Sequence, residues 1–161
     1  MVCTGNICRS PMAEGLLQAM LPAGLRSQVE VASAGTHALH GHQPASHAVT
    51  VMGQAGIDIR SHRARQVSRD MVADADLTLV MEKAHAQYFN RMVFWKRPRI
   101  RLLTQFDHRY EDQKPPEIED PYGLPLESYE ACLRILRPCI DGVIHWLRTH
   151  EDFTTADRRD A

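Results

Sequence analysis

Five consecutive residues, Leu77-Thr78-Leu79-Val80-Met81, make a nearly continuous apolar run too short to be a helix of its own. A run of that length reads as a strand buried on both faces, the usual state of strands in a parallel sheet. Parallel neighbours cannot be joined by tight hairpins, so helical crossovers must lie between them. The rest of the chain supplies those crossovers. After Ser10-Pro11, the residues Ala13, Leu16, Leu17, Met20 and Leu21 recur at helical spacing until Pro22-Ala23-Gly24 stops them. Ser10 is a favoured N-cap and Pro11 a favoured first helical residue. Val29 to Ala34 alternates like a strand. Pro44 opens a second helix through Ala45, Ala48, Val49 and Met52, and Gly56 closes it. A helix over about 83–92, a strand over Ile100 to Leu103 and a long helix over about 126–147 follow. Pro138 inside the last helix predicts a kink or break there. The expected fold is α/β, a four-stranded parallel sheet with helices on both faces.

Composition excludes several function classes. Lys+Arg 19 against Asp+Glu 20 leaves a net charge of -1, with no global field to attract nucleic acid or an anionic membrane. No stretch approaches the roughly 18 apolar residues of a membrane span. Met1-Val2-Cys3-Thr4-Gly5 has neither the basic segment nor the apolar run of a signal peptide, so a cytoplasmic, soluble protein is expected. At 161 residues the chain fits one domain, 1–161, with about 151–161 as a frayed tail. Only Met1 and Val2 precede Cys3, whereas strands commonly run five or six residues. The first strand is therefore expected to be a stub or to begin upstream. Four cysteines (Cys3, Cys8, Cys132 and Cys139) without a C-x-x-C or zinc spacing are core fillers or chemistry. The stretch from His108 to Pro125, rich in Pro and acids, reads as a long loop, and such loops in compact domains are often functional.

The chemistry concentrates at the start, in Cys3-Thr4-Gly5-Asn6-Ile7-Cys8-Arg9-Ser10-Pro11. Gly5 and Asn6 permit left-handed turns that aim successive backbone N–H groups inward, an anion-binding nest. The nest runs into a helix N-terminus, whose partial positive charge suits phosphate. Arg9 adds a planar fork of donors for two phosphate oxygens, and this field favours a thiolate at Cys3. Thiolate, cradle and arginine together specify nucleophilic attack on a phosphate monoester.

These residues, with Met12-Ala13-Glu14 after them, resemble the phosphate-binding loop of the low-molecular-weight protein tyrosine phosphatases, bacterial branch. The resemblance continues through Ser33-Ala34-Gly35-Thr36, Gly56-Ile57-Asp58, His62-Arg63-Ala64-Arg65-Gln66, Ala75-Asp76-Leu77 and Asp120-Pro121-Tyr122-Gly123. It implies a phosphate-binding loop of Thr4, Gly5, Asn6, Ile7, Cys8 and Ser10 between the first strand and first helix. It implies Cys3 as nucleophile, Arg9 as the binder of the equatorial phosphate oxygens and Asp120 as general acid, then general base. Asp120 by itself would read as an Asp-Pro turn residue. Ser10 is expected to hydrogen-bond the thiolate, while Asn6, Ser33 and His62 hold the loop. Cys8 is expected either to form a reversible disulfide with Cys3 or simply to fill the loop. Leu39, His40 and Tyr122 are expected to wall the substrate slot.

The implied reaction is phosphotyrosine hydrolysis with no cofactor and no metal. The implied partner is a phosphotyrosine protein, and Leu39 points to a bacterial tyrosine autokinase of capsule or exopolysaccharide export. Two alternatives share the scaffold. A protein arginine phosphatase carries threonine where this chain has Ile7, so Ile7 favours phosphotyrosine. An arsenate reductase needs further redox cysteines soon after the third strand, and none lies between Cys8 and Cys132. A phosphate reader would have no use for both nucleophile and acid. His37, His40, His42 and His47 lack any accompanying metal signature.

Overall fold

Side chains on a strand point alternately to opposite faces, and this alternation divides the core into two layers. In the computed structural model, which describes residues 1–92 and 99–150, Val2, Ala34, Val80 and Leu102 face one side. Cys3, Leu79, Met81 and Leu103 face the other. The strands are β1 (Val2–Cys3), β2 (Ala34–Gly35), β3 (Thr78–Val80) and β4 (Ile100–Leu102), all parallel, in the order β2-β1-β3-β4. The first face packs on α4 (Arg69–Asp74) and α5 (Lys83–Met92) through Val72 and Phe89. The second packs on α1 (Arg9–Met20), α3 (Ser46–Gln54) and α6 (Leu126–Thr149). A single turn, α2 (Ala23–Arg26), follows α1. The expected parallel four-stranded sheet with helices on both faces is the fold observed.

Several local expectations need correction. The strand expected over Val29–Ala34 shrinks to Ala34–Gly35, because a ladder needs a neighbour and β1 reaches back only to Met1. The last contacts are Ala34 N to Met1 O at 3.0 Å and the Met1 ammonium to Ala32 O at 2.8 Å. Beyond Met1, between Val29–Ala32 and Ala75–Leu77, the line of β1 opens into a cavity of about 550 Å³. Helix α3 begins at Ser46, two residues after Pro44. Helix α6 runs without a break through Pro138, and the Cys139 thiol donates to Ile135 O at 3.1 Å beside it. Gly142 brings α6 onto the turn after β4, so closely that a Cβ there would lie 1.6 Å from Phe106 O. The tail expected over 151–161 lies outside the described residues. Among those described, no helix is long and apolar enough to cross a membrane.

Candidate active site

The loop from Cys3 to Cys8 takes its shape from where its carbonyls go. The carbonyls of Cys3, Thr4, Gly5 and Ile7 accept from the amides of Thr36, His37, Leu39 and Ala45 at 2.8–3.1 Å. The Asn6 carbonyl accepts from His62 Nε2 at 2.9 Å. In a planar trans peptide the N–H points opposite to the C=O. Five outward carbonyls therefore turn the amides of Thr4, Gly5, Asn6, Ile7 and Cys8 toward the inside of the loop, an anion-binding concavity. Gly35 lets this segment approach so near, since a Cβ there would sit 2.5 Å from Thr4 O.

Asn6 carries the tight turn. Its φ of 55° is the sole left-handed non-glycine value among the described residues, and Gly5, expected to share this role, stays outside that region. Three side-chain hydrogen bonds hold it there. Nδ2 donates to Ser10 Oγ and Ser33 Oγ, each at 2.9 Å, and Oδ1 accepts from Arg65 N at 2.9 Å. Ser33 Oγ donates in turn to Glu14 Oε2 at 2.5 Å, and Glu14 faces His62 Nδ1 at 3.5 Å. Burial alone would raise the Glu14 pKa, but the hydrogen bonds from His62 and Ser33 outweigh it and hold the carboxyl below its ordinary value. Glu14 thus closes a network expected only of Asn6, Ser33 and His62.

Ser10 does not cap α1. The helix starts one residue earlier, at Arg9, with Cys8 at the cap position and no side-chain cap bond. Pro11 falls on the third helical residue, where its missing N–H is still not needed. The Ser10 hydroxyl is spoken for: Oγ lies 3.0 Å from Cys3 Sγ and accepts from Asn6. Cys3 and Cys8 are both buried, with no disulfide joining them here. Cys8 Sγ contacts Tyr129 Oη at 3.5 Å, and burial pushes the Cys8 pKa up to about 11, which keeps it a neutral thiol.

Arg9 is buried at 1% exposure. It hydrogen-bonds the Glu82 carboxylate and, through Nη1, donates to Ile118 O at 2.8 Å. Nη2 meets Asp120 Oδ2 at 2.7 Å, while Nε is buried with no partner. Burial would lower the Arg9 pKa, but Glu82 and Asp120 outweigh it and keep the guanidinium charged. Ile118 pins the long loop. Fully buried, it donates its N–H to Met81 O at 3.0 Å at the end of β3, and two residues on Asp120 hangs over the site.

A cavity of about 190 Å³ results, with Cys3, Thr4, Ile7 and Cys8 at its base and His37, Leu39, Asp120 and Tyr122 at its mouth. Arranged this way, a buried thiol faces inward amides, a fixed cation and an accessible carboxylate, which is a geometry for in-line transfer of a phosphoryl group to sulfur.

The model of the low molecular weight phosphotyrosine protein phosphatases matches residues 1–151. The chain belongs to this family. It is 38% identical over 147 residues to the "probable low molecular weight protein-tyrosine-phosphatase EpsP" of Ralstonia nicotianae, covering 91% of this chain and 93% of that one. The crystal structure of the Erwinia amylovora tyrosine phosphatase AmsI superposes with a TM-score of 0.78 at 34% identity, over 91% of this chain and 89% of the other. The YwlE arginine phosphatase of Geobacillus stearothermophilus superposes with a TM-score of 0.79 at 33% identity, over 98% and 96%.

For a protein tyrosine phosphatase the pocket wall matters, and here the expectation needs one change. Leu39 and Tyr122 line the cavity, but His40 is exposed beside it and His37 lines it instead. His37 stacks edge-on against Tyr88 at 5.7 Å, and Gln66 clamps the turn by accepting from Ala38 N and donating to Thr36 O. Of the other acids near Asp120, Glu117 pairs with Lys83 at 3.6 Å, and neither Glu119 nor Asp112 lines the cavity. Among the described residues no cluster of three metal-ligating side chains occurs, and His47 packs on Tyr129. Glu82, Ile118, Glu14, His37 and His85 had no sequence signal of their own as site residues.

Proposed function

We propose that Cys3 is the nucleophile, Arg9 the phosphate clamp and Asp120 the acid and base of this phosphatase, acting on phosphotyrosine in proteins. The observation that carries the reading is the outward alignment of five successive carbonyls around Cys3, which leaves their amides for the phosphoryl oxygens. The buried, unpartnered Arg9 Nε supports it, because an orphaned donor costs about 1–3 kcal/mol and a bound anion would satisfy it.

Cys3 attacks phosphorus as the thiolate with Asp120 in its protonated form, the state each turnover regenerates; the S–P bond forms as the ester P–O bond breaks, and the electron pair leaves on the tyrosine oxygen, which takes the Asp120 proton. Asp120 then removes a proton from water. The hydroxyl oxygen bonds phosphorus, and the S–P electron pair returns to Cys3 as phosphate leaves. A phosphate dianion on Arg9 replaces the Asp120 carboxylate there and frees it for the leaving oxygen.

The apolar Ile7 at the base and the exposed Leu39 and Tyr122 at the mouth suit an aryl ring. We assign the substrate as a bacterial tyrosine autokinase of capsule or exopolysaccharide export, on the aliphatic Leu39 at the cavity mouth and the family resemblance it carries, and the location as the cytoplasm, whose reducing conditions suit four free cysteines. The likeness to YwlE keeps phosphoarginine as the competing substrate. A panel of matched phosphotyrosine, phosphoserine and phosphoarginine peptides tests the assignment. Phosphotyrosine should be hydrolysed far faster than the others, and a preference for phosphoarginine would overturn it.

A further inference from the structure

The loop after Cys3 is tied to α5 by a hydrogen bond that the chemistry above does not use. Thr4 Oγ1 lies 3.0 Å from His85 Nε2, 81 positions away in sequence. His85 is 4% exposed in the first turn of α5. Its second nitrogen decides which atom donates. Nδ1 receives the Glu82 amide at 3.2 Å, so it carries no hydrogen and Nε2 must. Nε2–H therefore donates to Thr4 Oγ1. The Thr4 hydroxyl hydrogen is left to point elsewhere, and Thr4 lines the cavity that Cys3 and Asp120 share.

The groups around His85 keep this tautomer. Burial pushes its pKa down and the Arg9 charge adds to that, against the carboxylates of Glu82, Asp120 and Glu117. The imidazole stays neutral, which preserves both bonds. Glu82 also links the ends of the arrangement, since its amide orients His85 while its carboxylate orients Arg9.

We propose that the Thr4 hydroxyl is an additional donor to the bound phosphate ester, and that His85 is the positioning residue that aims it. The inference rests on the phosphatase reading of the cavity and adds to it a donor from outside the backbone nest. A side-chain hydroxyl held by a neutral histidine is preorganised, so its contribution should appear in binding and in turnover without reorganisation.

Thr4→Val removes the hydroxyl at nearly constant shape. His85→Asn keeps an acceptor for the Glu82 amide but is too short to reach Thr4, whereas His85→Gln can extend an amide donor to it. Two readouts apply, kcat/KM on a phosphotyrosine peptide and the inorganic phosphate concentration that halves Cys3 alkylation by iodoacetate. A neutral hydrogen bond predicts a 3–10-fold loss in both for Thr4→Val, in wild type and in the His85→Gln background. In the His85→Asn background the same change should cost under twofold, because the donor is already unaimed. Thr4→Ser should lose less than Thr4→Val. A silent Thr4→Val, or an equal loss in all three backgrounds, overturns the proposal. If wild type hydrolyses no phosphotyrosine yet phosphate protection follows the predicted pattern, the reaction assignment fails and the Thr4–His85 arrangement stands. Absence of both turnover and protection overturns both.

Discussion

Replacing Asp120 by alanine should separate stability from chemistry. The carboxylate is 43% exposed, and its pairing with Arg9 Nη2 is one of three contacts holding that guanidinium, beside Glu82 and Ile118 O. Loss of a half-exposed partner, with the buried arginine still paired to Glu82, should cost within about 1 kcal/mol of stability. The chemical effect should be far larger and should depend on the leaving group. Phenolate leaves with a pKa of about 10, and protonating it in the transition state is worth about 10²–10⁴-fold, or roughly 3–5 kcal/mol. An aryl phosphate carrying strongly electron-withdrawing groups needs little of that help. The assay is the single-turnover release of a series of substituted phenols, which isolates transfer to Cys3 from the later hydrolysis. Asp120→Ala should steepen the dependence of rate on phenol pKa while the melting temperature barely moves. A uniform loss across the series would refute the reasoning and reduce Asp120 to shaping the loop, as would a collapse in stability.

Three further outcomes follow from the packing. Gly142→Ala should abolish stable folding, because its Cβ would overlap Phe106 O, whereas Gly24→Ala, facing open space, should leave the melting temperature within a few degrees. Burial lowers the Met1 ammonium pKa from 8.0 to about 6, so the unfolded chain holds the extra proton between those values. Stability of the 161-residue chain should therefore rise by roughly 2 kcal/mol from pH 6 to pH 8, and the N-acetylated chain should lack that component in denaturant titrations. Fusing three apolar β-branched residues before Met1 should raise the melting temperature by extending β1 into the 550 Å³ cavity; a polar triplet should not.

What could be read in advance follows from locality. Cys3, Asn6, Arg9 and Ser10 lie within eight residues, so one loop and one helix end bring them together, and their residue types carry the argument. Glu82, His85 and Ile118 reach the same site only through the end of β3 and the long loop, and a lone Glu, His or Ile has no local signature. Asp120 is visible through resemblance alone, since Asp-Pro ordinarily means a turn. Ser10 has the sequence signature of a cap but does not serve as one, because one hydroxyl cannot serve both the helix end and Cys3, and the Asn6 bond settles that competition. Val29 and Val31 alternate as a strand should, yet alternation cannot supply the missing neighbour. Helix α4, with six residues, is too short for periodicity to register, although Ser68 caps it by accepting from Met71 N.

The central claim is that phosphate passes through Cys3. Rapid quench of the wild-type chain with a phosphotyrosine peptide at mild acid pH, followed by peptide mass spectrometry, tests it directly. The account predicts one phosphoryl group on the peptide that begins at Met1 and contains Cys3, formed at the rate of phenol release and absent from Cys3→Ser protein. Turnover in Cys3→Ser protein, or a phosphoryl group on Cys8 in place of Cys3, would contradict it.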